Sequence, residues 1–72
     1  MKYPIEDFGF RKTDEFIDSK GIKSYVFSKD FVNFCIKKGD TFDIDEFAKI
    51  MSIQSDSLTE ALKETYNLIN KE

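Results

Sequence analysis

The chain has 72 residues, Lys+Arg 11 against Asp+Glu 14, a formal net charge of -3, one Cys and no His or Trp. That length makes one domain with one small core, and such a core rarely supplies more than about 3–5 kcal/mol unaided. A lone Cys excludes an internal disulfide, and with no His it also excludes the usual four-ligand zinc sites and His-based acid–base or nucleophilic catalysis.

Residues 1–12 are broken by Pro4 and Gly9, so a short helical turn or an arm is expected, with Tyr3, Phe8 and Phe10 as its most exposed aromatics. The neighbourhood of these three has weak periodicity, and 1–27 as a whole is expected to be an arm or short helix. Thr13 is placed to cap a short helix over 14–20 that Gly21 stops. Residues 22–27 suit an extended segment with Tyr25 and Phe27 on one face. Ser28 is then an N-cap candidate for a helix carrying Phe31, Phe34 and Cys35 at helical spacing with Phe27 and closing at Gly39. On that stripe Cys35 is expected to be a buried structural thiol rather than a reactive one, despite Lys37 and Lys38 nearby.

The C-terminal signals are clearer. Asp43 and Glu46 form a D-x-x-E capping pair, followed by Ile44, Phe47, Ala48 and Met51 on one helical face. A break at 52–55 precedes a second stripe of Leu58, Ala61, Leu62, Tyr66 and Ile69 that predicts a long last helix to about Asn70. The expected fold is therefore all-α, a small helical bundle in one domain spanning 1–72. A calcium loop ending at Glu46 is disfavoured, because it puts Cys35 and Lys37 at ligand positions.

Charge is uneven. Residues 1–39 carry eight basic and six acidic side chains, whereas 40–72 carry three basic and eight acidic ones. No apolar run exceeds three residues, and the first residues hold no apolar stretch of the kind that forms a signal peptide, so a cytoplasmic protein is expected. Gly9, Gly21 and Gly39 are isolated, and no phosphate-cradling loop or paired catalytic group is present. No enzymatic activity, cofactor, metal or small-molecule substrate is expected.

The stretch 44–63 has Ala48 at the small position of a first helix, Phe47 and Met51 beside it, and Ile53 after the break. Leu58, Ala61 and Leu62 line the inner face of a second helix. This pattern resembles the helix-turn-helix of phage and bacterial repressors, with Ser52 where the motif usually has a Gly at a strained turn. Ser57-Leu58-Thr59-Glu60 is itself a capping box, and a cap at Ser57 makes the break two residues longer than the motif allows. The outward residues of the second helix, Gln54, Ser55, Asp56, Ser57, Thr59 and Glu60, include no base. DNA affinity comes largely from Lys and Arg on phosphates. An acidic face of this kind suits a basic protein surface, with Asp56 and Glu60 alternatively serving only the helix N-terminus.

With its small size, the chain is similar to the modulator-of-repression anti-repressors of lactococcal temperate phages, and its Lys, Ile, Asn, Asp and Phe usage suits a low-GC Gram-positive host. That resemblance implies a transcriptional modulator of a lysis–lysogeny switch. Such a protein masks the basic, operator-reading domain of a CI-type repressor by mimicry, with Glu46, Gln54, Asp56, Ser57, Thr59 and Glu60 at the contact. The alternative is a direct DNA-binding repressor that reads bases with Gln54, Ser55, Ser57 and Thr59 and holds phosphates with Lys37, Lys38, Lys49 and Lys63.

Overall fold

In the computed structural model, which describes residues 2–41 and 43–71, the chain is α+β rather than all-α. A 3₁₀ turn over Pro4–Phe8 leads into strands β1 (Arg11–Ile17), β2 (Lys23–Lys29) and β3 (Val32–Lys37). Helices α1 (Ile44–Ile50) and α2 (Asp56–Lys71) follow. The strands form one antiparallel sheet in the order β1-β2-β3.

The helix expected from Ser28 is instead the β2–β3 hairpin. Alternation of period two overrides the helical spacing: Tyr25 pairs with Ile36 and Phe27 with Phe34, and all four face the core. Phe31, counted on the helical stripe, sits at the hairpin turn and is fully exposed, while Asp30 beside it takes the left-handed φ of 53° that closes the turn. Cys35 falls on the opposite face of β3 from Phe34 and is exposed, which corrects its expected burial. The helix expected over 14–20 is likewise strand β1 and its turn. In that turn Asp18 Oδ1 accepts from the N–H groups of Lys20 and Ile22 at 2.8 and 3.0 Å, and Gly21 takes a φ of 80°.

The N-terminal segment is not an exposed arm. Tyr3 and Phe10 are buried and Phe8 is half-buried against the core. The Tyr3 ring meets Phe27 edge-on at 5.3 Å, Phe10 meets Phe34 edge-on at 5.3 Å, and Phe27 stacks on Phe34 at 5.6 Å. Such pairs add about 0.5–1.5 kcal/mol each beyond the area that they bury. The Glu6 carboxylate accepts from the Tyr3 N–H at 2.8 Å and pins the turn.

Strand β1 is exposed along its length and bulged between Lys12 and Asp14. Lys23 and Lys12 both pair with Glu15, at 2.6 and 3.0 Å, and this holds the Glu15 carboxyl below the usual carboxylate range. One face of the sheet is covered by α2, whose Ala61, Leu62, Thr65 and Ile69 are buried, as the helical stripe requires. The buried Thr65 hydroxyl donates to the Ala61 carbonyl at 2.9 Å, so it costs no unsatisfied group. The opposite face of the sheet carries Phe16, Val26 and Cys35, with the Ser24 hydroxyl fully buried and without a hydrogen-bond partner among the described residues.

Asp43 caps α1 by accepting from the Asp45 N–H at 2.9 Å. The helix ends in a six-residue Schellman closure: Ile53 N–H donates to Ala48 C=O at 2.8 Å, and Ser52 N–H to Lys49 C=O at 3.1 Å. This closure requires Ser52 to be left-handed, at φ 56°. A left-handed L-residue costs about 1–2 kcal/mol, and Gly gives back part of the gain through its freer unfolded chain. Ser52→Gly is therefore expected to stabilise the domain by about 0.5–1 kcal/mol, read as a higher urea midpoint at unchanged slope, and Ser52→Val to lower it. Ser55, not Ser57, caps α2, since its Oγ accepts from the Leu58 N–H at 3.3 Å. The longer break that a Ser57 cap requires is thus not formed.

Candidate protein-interaction surface

The residues singled out for contact lie on and between the two helices. Glu46 sits on α1, Gln54 in the connection, and Asp56, Ser57, Thr59 and Glu60 on the first turns of α2. All are exposed except Thr59, which is half-buried and whose hydroxyl donates to the Ser55 carbonyl at 3.1 Å. Thr59 thus spends its donor on its own helix and offers a partner less than expected.

Glu60 is not isolated. Lys63 lies 3.2 Å from Asp45 and 3.8 Å from Glu60, bridging α1 to α2. The hydrogen bond and charge of Asp45 raise the Lys63 pKa above its usual value. Lys63 therefore already faces two carboxylates, which compete with a phosphate for its charge. The other proposed phosphate contacts are dispersed: Lys37 ends β3, Lys38 follows it, and Lys49 is in the last turn of α1.

Glu46 belongs with a second group of residues. It lines an open groove of about 240 Å³ together with Asp40, Asp43, Cys35, Phe47 and Ile50. The groove lies between β3 and α1. Its apolar members include Ile50, which is 79% exposed, and Phe47, whose ring packs edge-on against Phe34 at 5.9 Å. Asp40, Asp43 and Ile50 were missed as surface residues. Asp43 already had a role as a cap, and Ile50 falls off the apolar stripe of α1. An off-stripe Ile on a short amphipathic helix was the available signal.

Cys35 and Lys37, the positions a calcium loop ending at Glu46 would use for ligands, lie on strand β3. Among the described residues no group of three or more His, Cys, Asp or Glu is placed to hold a metal ion, and no helix is long and apolar enough to cross a membrane. Comparison of the chain with protein families, with curated proteins and with solved structures gives no match.

Proposed function

We propose that the protein is a binding module for a basic protein surface, acting as a transcriptional modulator that masks the DNA-binding domain of a repressor. One observation carries this reading: Asp56 and Glu60 stand exposed on the first turns of α2, and Lys63, the basic residue that follows them, is engaged by Asp45. A face of this sign attracts and orients a basic partner and repels a phosphate backbone. The anti-repressor role in a phage switch is the specific form of the proposal, with Gln54 and Ser57 as polar support.

The test is capture from a lysate of a low-GC Gram-positive bacterium or its phage, with and without nuclease, followed by titration of the captured repressor domain. Asp56→Lys/Glu60→Lys is expected to weaken binding at least tenfold, or about 1.4 kcal/mol, with an unchanged circular dichroism spectrum. Unchanged affinity in that variant overturns the contact. Recovery of nuclease-sensitive DNA alone, bound with a steep salt dependence, transfers the assignment to a direct DNA-binding repressor.

A further inference from the structure

The two outer strands of the sheet differ in how their edges are protected. The β1 edge is bulged and lined with charge from Lys12, Asp14 and Glu15, both common defences against added strands. The β3 ladder shows no register shift. The Lys38 N–H donates to the Lys23 carbonyl at 2.9 Å, which makes Lys23–Lys38 a hydrogen-bonded pair. Alternation along an antiparallel ladder then makes Tyr25–Ile36 and Phe27–Phe34 hydrogen-bonded pairs too. The backbone groups of Asn33, Cys35 and Lys37 therefore face away from β2. The Lys37 carbonyl is taken by the Asp40 N–H at 3.2 Å, and among the described residues no backbone bond from a turn, loop or cap falls on Asn33 or Cys35.

Beside this edge lies the groove of Cys35, Phe47 and Ile50, rimmed by Asp40, Asp43 and Glu46. We infer that β3 and this groove take an extended segment of a basic protein partner. Its backbone pairs with Asn33 and Cys35, and its Lys or Arg side chains lie along Phe47 and Ile50 with their charges at the carboxylates. Main-chain pairing supplies affinity, and alternate side chains supply selectivity. Long basic side chains bury their stems on apolar surface while the head stays with the acids. The occupant follows from charge: the rim is acidic, and among the described residues no basic one lines the groove. This inference rests on the basic-partner reading above but uses residues apart from Asp56 and Glu60.

The probe is a capped nonapeptide of alternating Lys or Arg and Val, titrated into the isotope-labelled full chain at 0.15 M salt and followed by amide NMR. Saturable shifts at Asn33 and Cys35, with at least tenfold slower exchange of their amides, are expected. Ile50→Lys and Asp40→Asn should each weaken the peptide at least fivefold while the spectrum elsewhere shows the fold intact. N-methylation of alternate peptide amides should abolish binding.

Shifts confined to α2, no binding at 1 mM, or equal binding of the N-methylated peptide each overturn the inference. Protection of Asn33 and Cys35 that rises with protein concentration before peptide is added also overturns it, in favour of a second copy. Partner affinity lost in Asp56→Lys/Glu60→Lys but retained in Ile50→Lys removes the groove and leaves the modulator reading standing. Peptide pairing at β3 with no partner bound through α2 does the reverse.

Discussion

Phe27→Ala is expected to unfold the domain at room temperature. Phe27 is fully buried on the central strand, edge-on to Tyr3 at 5.3 Å and stacked on Phe34 at 5.6 Å. Removing a buried Phe ring costs about 3–5 kcal/mol, through lost transfer energy and the cavity left behind. That matches the whole stability of about 3–5 kcal/mol that a core of this size supplies. Loss of the cooperative thermal transition, followed by circular dichroism, checks the outcome. Phe27→Leu keeps most of the volume and should lose less than about 1.5 kcal/mol. A cooperative Phe27→Ala protein within about 1 kcal/mol of the parent would place the centre of the core elsewhere.

Ile5→Ala is expected to cost about 2–5 kcal/mol, the range for truncating a fully buried Ile. Ile5 is fully buried in the 3₁₀ turn, and that turn packs on α2. The N-terminal segment therefore closes the core over the sheet. An exposed arm would give a change within about 0.5 kcal/mol for the same substitution. Urea denaturation separates these outcomes. A small effect would show the turn to be dispensable, and a large one makes it part of the cooperative unit.

The two results bear on function because the acidic face has no independent scaffold. Helix α2 presents Asp56 and Glu60 on one side while Ala61, Leu62 and Ile69 hold the other against the sheet. Asp45 on α1 reaches Lys63 on α2, so the helix pair is also tied at its surface. Binding variants are therefore best placed at exposed positions, where charge changes without loss of core.

The candidate site is partly legible in the sequence. Asp56, Ser57 and Glu60 stand out because a helix whose inner face is set by Leu58, Ala61 and Leu62 must turn them to solvent. The back-bond of Thr59 to Ser55 is not legible in the same way, because it depends on where the helix begins. The β3–α1 groove was hidden entirely, since it needs β3 to be a strand.

Local information in the chain determines α1, α2 and the inward face of Tyr25 and Phe27. Each rests on capping and periodicity within a few residues, from the Asp43 cap to the buried run of Leu62, Thr65 and Ile69. The sheet is a different matter. Phe27, Phe31, Phe34 and Cys35 satisfy a helical period, and Tyr25, Phe27, Phe34 and Ile36 satisfy strand alternation about a turn, so the residues alone fit both. Packing resolves the conflict. As strands, Phe27 and Phe34 meet each other and reach Tyr3 and Phe10 at once, whereas the helix would bring Phe31 inward and turn Ile36 away from Phe34 and the core. Strand pairing between Arg11–Ile17 and Lys23–Lys29 crosses only a short turn, but its stabilisation comes from cross-strand and core contacts that exist only when both strands and the covering helix are in place.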